Sequence, residues 1–134
     1  MAQTKVLTVD VDRNVHERLR RSLSFTGALV SGTSGSDNVL RRVELDAPDL
    51  IIVDIPCRES DRWETLLHIR EQLPDMPVIA LTTPDDAGST VECLRYGADY
   101  SMTKPVRERE LQARIRALLR RSRQVAPLTL ATMS

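Results

Sequence analysis

Asp49-Leu50-Ile51-Ile52-Val53-Asp54-Ile55-Pro56 is the stretch whose reading decides the fold. Four apolar residues, three of them β-branched, run into a carboxylate, and a proline follows shortly after. An apolar run this short and continuous predicts a strand buried on both faces, as in the interior of a parallel sheet. Asp54 then stands where the strand ends. In open α/β sheets, ligands and chemistry gather beyond the carboxyl ends of the strands. A carboxylate there is either a capping or turn residue or a reacting group, and the flanking sequence has to decide.

Toward the N-terminus, Lys5 to Val9 reads as a strand ending at Asp10. Asp12 or Asn14 can cap a helix in which Val15, Leu19 and Leu23 recur every four residues, and Gly27 stops it. Ala28 to Thr33 is a weaker strand, and Ser36 or Asp37 opens a helix carrying Val39, Leu40 and Val43. Toward the C-terminus, Ser60 or Asp61 starts a helix through Trp63, Leu66, Leu67 and Leu73, closed by Pro74 and Pro77. Val78 to Leu81 is the fourth strand, followed by Thr82 and Thr83. Ala87 to Tyr96 is a helix with Gly97 in its stop position. Tyr100 to Thr103 is a short fifth strand ending at Lys104-Pro105, and Val106 to Arg121 is a helix with Leu111, Ile115, Leu118 and Leu119 on one face. Five strand-helix pairs in strict alternation predict a doubly wound, five-stranded parallel sheet with helices on both faces.

In such a sheet the strand ends bring Asp10, Asp12, Asp54, Thr82, Thr83 and Lys104 to one edge. Carboxylates there can hold Mg2+, which prefers oxygen ligands. The cation and the lysine would neutralise phosphoryl oxygens, a hydroxyl would donate one hydrogen bond, and one carboxylate would serve as nucleophile. Lys104 carries weight because the chain has only two lysines against 17 arginines. An ammonium is a compact point charge, unlike the planar guanidinium fork.

Composition narrows the function classes. The 134 residues make one ordinary domain, with 19 basic and 19 acidic side chains and no net charge to recruit nucleic acid or membrane. Phe25, Trp63, Tyr96 and Tyr100 are the only aromatics, too few for a base-stacking surface. Cys57 and Cys93 form no disulfide framework and no CxxC pair. With no signal peptide or long apolar segment in view, a cytoplasmic protein without membrane contact is expected.

These motifs together resemble the receiver domain of two-component response regulators, the CheY-like family, over residues 4–122. Lys5-Val-Leu-Thr-Val-Asp10 is similar to its first strand and acidic site, Asp49-Leu-Ile-Ile-Val-Asp54 to its phosphoacceptor strand, and Pro77-Val-Ile-Ala-Leu-Thr82 to its switch-hydroxyl strand. Gly97-Ala-Asp99 and Lys104-Pro105 resemble the end of the fold. The helix from Glu110 to Arg121 is similar to the last receiver helix of winged-helix regulators of the OmpR/PhoB type. The resemblance implies a flavodoxin-like (βα)5 fold with strand order 2-1-3-4-5. It implies Asp54 as acceptor of phosphate from a histidine kinase and Thr82, Thr83 and Lys104 as phosphate-binding and switch residues. Asp10, Asp12, Asp54 and the carbonyl of Pro56 would be the Mg2+ set, and Lys104-Pro105 a cis peptide. The domain would be a phosphoacceptor rather than an enzyme, capable at most of slow self-phosphorylation and autodephosphorylation. DNA would be reached only through a separate output domain.

The departures from the family pattern fall in the same pocket. Val11 stands where a second acid is usual, so one metal ligand is missing unless Asp12 substitutes, and Pro56 has a fixed φ. Arg58 and Arg62 replace the usual proline and glycine of the following loop, and an arginine there could pair with Asp54 and stand in for the missing cation. Ser101 holds the aromatic switch position, with Tyr100 one place early and expected to face the other way. Mg2+ binding is therefore expected to be weakened or lost, and phosphorylation weakened or replaced by another input.

Other features of the chain allow different readings. Val9-Asp-Val-Asp12 also resembles the DxD motif of haloacid-dehalogenase-type phosphohydrolases, with Asp10 as nucleophile and Asp12 as acid/base; the later acids are then only Glu108 and Glu110. His16 and His68 read as ordinary helix residues, and Cys57 as a loop filler. The seven arginines from Arg107 to Arg123 read as a solvated helix face rather than a DNA contact. A homodimer through helix 4, strand 5 and helix 5 would use Glu92, Arg95, Asp99 and Arg114 as charge pairs. Residues 1–121 form the receiver, and 122–134, with Pro127, read as a linker or tail.

Overall fold

A computed structural model describes residues 3–24, 27–56, 62–83 and 88–133. Leu50 to Ile55 form strand β3, buried at every position, Asp54 included. The other strands are β1 (Lys5–Val9), β2 (Leu29–Thr33), β4 (Val78–Thr82) and β5 (Tyr100–Thr103). They alternate with α1 (Arg13–Ser24), α2 (Ser36–Asp46), α3 (Arg62–Gln72), α4 (Gly88–Arg95) and α5 (Glu108–Met133). All pairings are parallel, in the order β2-β1-β3-β4-β5. The five-stranded doubly wound sheet and its order agree with the sequence reading.

Burial on both faces explains the continuous apolar runs. Leu50 and Ile52 of β3 join Val6, Ile79, Leu81 and Met102 in one core, roofed by Leu19 and Leu23 of α1 and Leu111, Ile115, Leu118 and Leu119 of α5. Ile51, Val53 and Ile55 join Leu7, Val9, Val78 and Ala80 in the other, with Val39 of α2, Leu66 and Ile69 of α3 and Cys93 of α4. Side chains alternate faces along a strand, so an all-apolar strand supplies both cores at once. Asp49, just before β3, is a scaffold residue: its carboxylate accepts from the backbone N–H of Lys5 at 2.8 Å, and its own N–H donates to the Lys5 carbonyl at 2.7 Å.

The amino edge of β4 and β5 is tied by Arg70. Its guanidinium donates to the carbonyls of Gly97 (2.8 Å), Pro74 (2.8 Å) and Leu73 (3.4 Å) and pairs with Asp99 at 2.8 Å. Gly97 has φ +118°, and a Cβ there would lie 2.7 Å from Cβ of Arg70. Only glycine meets both conditions. The sequence placed Gly97 as a helix stop; the structure adds that it makes room for Arg70.

The last helix runs further than expected. α5 continues to Met133 instead of ending at Arg121. No glycine stands between 122 and 133, and each further helical residue adds a backbone bond, so Pro127 alone does not end the helix. The chain turns at Asp10, whose φ is +56°. The predicted helix starts at Ser60, Asp61 and Ala87, together with Cys57 and Arg58, lie outside the described residues.

Candidate functional site

β3 carries Asp54 to the carboxyl edge of the sheet on the α1/α5 side. Its side chain is about nine-tenths buried, and Oδ1 lies 2.7 Å from Nζ of Lys104. That approach is an ion pair without hydrogen-bond alignment, and among the described residues no other donor reaches Oδ1. Lys104 is delivered by the end of β5: its backbone N–H donates to the carbonyl of Thr82 at 2.8 Å, extending the β4–β5 ladder by one bond. The Lys104-Pro105 peptide is cis, as the sequence reading expected.

Thr82 is fully buried at the end of β4. Its hydroxyl faces β5, 3.4 Å from the Met102 carbonyl and 3.5 Å from Oγ1 of Thr103, both at the long limit for hydrogen bonds. Thr83 follows, half-buried. Pro56 is half-buried at the exit of β3.

Asp10 turns the chain. In its left-handed conformation its backbone N–H donates to Thr33 at 2.9 Å, and Oδ1 accepts from the Gly35 N–H at 3.2 Å. The turn points Val11 into the α1/α5 core, so the residue in the usual place of an acid packs instead of ligating. Asp12 is exposed and opens α1, its carbonyl accepting from the His16 N–H at 2.8 Å. Among the described residues no three His, Cys, Asp or Glu side chains gather closely enough to hold a metal ion.

Arg62, the first residue of α3, reaches over this edge. Its Nε lies 3.2 Å from Oδ2 of Asp10, and one terminal nitrogen donates to the backbone carbonyl of Asp54 at 3.1 Å and to that of Asp10 at 3.5 Å. The sequence singled out an arginine that could pair with Asp54. The structure pairs Arg62 with the carboxylate of Asp10 and with the backbone, not the carboxylate, of Asp54. Two carboxylates and two cations thus meet at one edge.

The residues named for a dimer face all have partners within the chain. Arg95 pairs with Glu92 on α4 at 3.2 Å, and Asp99 is held by Arg70 and by the Val78 N–H, each at 2.8 Å. The Arg114 guanidinium sits 4.1 Å from the ring centre of Tyr100. Tyr100 packs against the α1/α5 core, and its hydroxyl donates to Glu110 at 2.6 Å. That hydrogen bond, helped by burial, raises the phenol's pKa above the ordinary tyrosine value. The charged and hydroxyl partners of Tyr100 were not legible in advance, because Glu110 and Arg114 meet it only once α5 packs on β5.

The sequence profile of the response regulator receiver domain matches residues 6–116. The chain belongs to the response regulator receiver family. It is 40% identical over 119 residues to the response regulator MprA of Mycobacterium leprae, which covers 89% of this chain and 52% of that protein. It is 36% identical over 123 residues to the alkaline phosphatase synthesis transcriptional regulatory protein PhoP of Bacillus subtilis, covering 92% of this chain and 51% of PhoP. The receiver therefore spans about half the length of these curated relatives. Among solved structures, the receiver domain of the Francisella response regulator 1452 superposes with a TM-score of 0.76 at 26% identity, over 90% of this chain and 99% of that one. NtrX of Brucella abortus shares the fold with a TM-score of 0.84 at 22% identity, over 96% of this chain and 29% of NtrX. A receiver is a signalling domain of two-component systems. Receivers pair with histidine kinases and in general bind Mg2+ at this acidic edge.

This assignment sets aside the phosphohydrolase alternative for the receiver. Asp10, its nucleophile, has both oxygens engaged by Gly35 and Arg62, and Asp12 is turned into the start of α1.

Proposed function

We propose that this receiver takes a phosphoryl group on Asp54 from a histidine kinase and passes the signal to a DNA-binding output domain in the cytoplasm, without itself being an enzyme. The observation that carries the reading is the buried Asp54 carboxylate facing the Lys104 ammonium at 2.7 Å. A carboxylate oxygen of Asp54 attacks the phosphorus of a phosphohistidine; the new O–P bond forms as the N–P bond breaks, and the leaving imidazole takes a proton from water. Lys104 sits beside the oxygens on which negative charge is held, where a preplaced cation contributes most. Thr82 and Thr83 are the hydroxyls at the same edge that would bind the phosphoryl group. Asp10, Asp54 and the Pro56 carbonyl remain of the family's metal set, with Asp12 exposed at the start of α1, so Mg2+ binding is weak or lost.

The test is acetyl phosphate labelling of the wild type and Asp54→Asn, read by intact mass and peptide mapping. One phosphoryl adduct on Asp54, absent from the variant, is expected. No adduct, or one on another residue, overturns the reading. A phosphorylation-independent receiver is the second reading, favoured by Val11 in place of an acid and by Arg62 already paired with Asp10. Wild-type output unchanged by Asp54→Asn would mark that case.

For assembly, α4 exposes Val91 and Leu94. Together they support the proposed homodimer through α4, β5 and α5. Because Asp99 is already bound to Arg70, Leu94→Asp is the cleaner test. Sedimentation of a dimer unchanged by it would sink this interface.

A further inference from the structure

We infer that Arg62 is the resident cation of this pocket, taking the place of Mg2+, so that the acidic edge is metal-independent. The inference deepens the reading of this edge as the receiver's acidic site. It does not require that Asp54 be phosphorylated.

The donor set does not fit a divalent cation. Mg2+ demands near-octahedral oxygen ligands and gives up its waters reluctantly, so it needs carboxylates that are free to turn toward it. Here Oδ2 of Asp10 is 3.2 Å from Nε of Arg62, Oδ1 of Asp10 is held by the Gly35 N–H at 3.2 Å, and Oδ1 of Asp54 faces Lys104 at 2.7 Å. The usual second acid is Val11, which packs in the core. Charge gives the same answer. The carboxylates of Asp10 and Asp54 already face cations, Arg62 and Lys104. A divalent ion would have to enter beside a guanidinium and an ammonium that both repel it.

Arg62 is also built in. It is the first residue of α3, three-quarters of its side chain is covered, and it grips the backbone carbonyls of Asp10 and Asp54 besides the Asp10 carboxylate. Those contacts bridge the ends of β1 and β3, the two strands that a shared metal would otherwise tie together. A planar guanidinium with several fixed donors suits that bridging task better than an ammonium would.

The experiment is a thermal melt of the purified chain across an MgCl2 series, against NaCl of matched ionic strength. Arg62→Ala and Arg62→Lys are run in parallel, with direct Mg2+ titration by calorimetry. The wild type and Arg62→Lys are expected to show no Mg2+-specific shift and no binding heat. Arg62→Ala, with Asp10 and Asp54 left short of positive charge, is expected to gain Mg2+-specific stabilisation, its midpoint rising by about 3 °C at roughly ten times the dissociation constant. A Mg2+-specific rise in the wild type overturns the inference whether or not the alanine variant folds. A folded Arg62→Ala that ignores Mg2+ overturns it too, because Arg62 would then be replacing nothing. Failure of Asp54 to take phosphate overturns only the phosphoacceptor reading, since the Mg2+ melts need no phosphoryl donor.

Discussion

α3 has an arginine paired to an aspartate at its first residue and another in its last turn, and the two do different things. Arg70 at the amino edge of the sheet and Arg62 at the carboxyl edge are similarly covered, 22% and 25% exposed. Arg70 meets one carboxylate, already bound by the Val78 N–H, and three carbonyls in the loops around Pro74 and Gly97. Every group it touches is satisfied by the contact, and no titratable side chain is left over. Arg62 also meets one carboxylate and two carbonyls, but the second carbonyl belongs to Asp54, whose own carboxylate faces another cation. The same side chain is a strut where charges cancel locally and part of a site where buried charges gather beyond strand ends.

Breaking the strut should cost most. Gly97→Ala combines a φ that alanine adopts with strain and a Cβ placed 2.7 Å from Arg70, and a loss of about 3 kcal/mol is expected in urea unfolding. Arg70→Ala should follow at about 2 kcal/mol, since the Gly97 and Pro74 carbonyls lose their donor and Asp99 its cation at a partly exposed site. Neither variant should create a response to Mg2+. If either did, the two ends of the helix would not be separate devices.

At the other end the effect should be smaller in stability. Arg62→Ala is expected to cost no more than about 1 kcal/mol in chelator, because it removes a partly exposed pair while Asp10 keeps its bonds to Thr33 and Gly35. A loss as large as that of Arg70→Ala would make Arg62 a strut as well. The smallest change is Tyr100→Phe, which removes one phenol–carboxylate bond worth under about 1 kcal/mol. The phenol's pKa is raised in the folded chain. Its contribution is therefore whole below the ordinary tyrosine value and fades as pH climbs through the raised one. The wild type and Tyr100→Phe should converge in stability above about pH 10. A gap that widens with alkali would mean that Glu110 is not what holds the proton.

Much of the architecture was legible in advance because its signals are local. Leu50 to Val53 could hardly be anything but a doubly buried strand, and Asp54, Lys104 and Thr82 fall at strand ends by counting alone. The partner of Arg62 was not legible: the sequence allowed Asp54, and the turn at Asp10 made Asp10 the nearer carboxylate. The same turn carried Val11 to the core and Asp12 to solvent, which an extended strand would not have done. Asp99 read as a surface charge because Arg70, 29 residues away, cannot be seen beside it in one dimension.

By itself the sequence determined the strand-helix alternation, the doubly buried β3 and the set of residues brought to the carboxyl edge. Period-two and near-four spacings, glycine stops and proline breaks act between neighbours, so they can be read from neighbours. Only the tertiary structure decided which charge meets which. Ion pairs between Arg62 and Asp10, Lys104 and Asp54, and Arg70 and Asp99 depend on a backbone turn of +56° at Asp10, a 2.8 Å anchor on Thr82 and a cleared space at Gly97. Electrostatic attraction at these distances changes steeply with an ångström and with burial, and neither quantity exists until the helices have packed on the sheet.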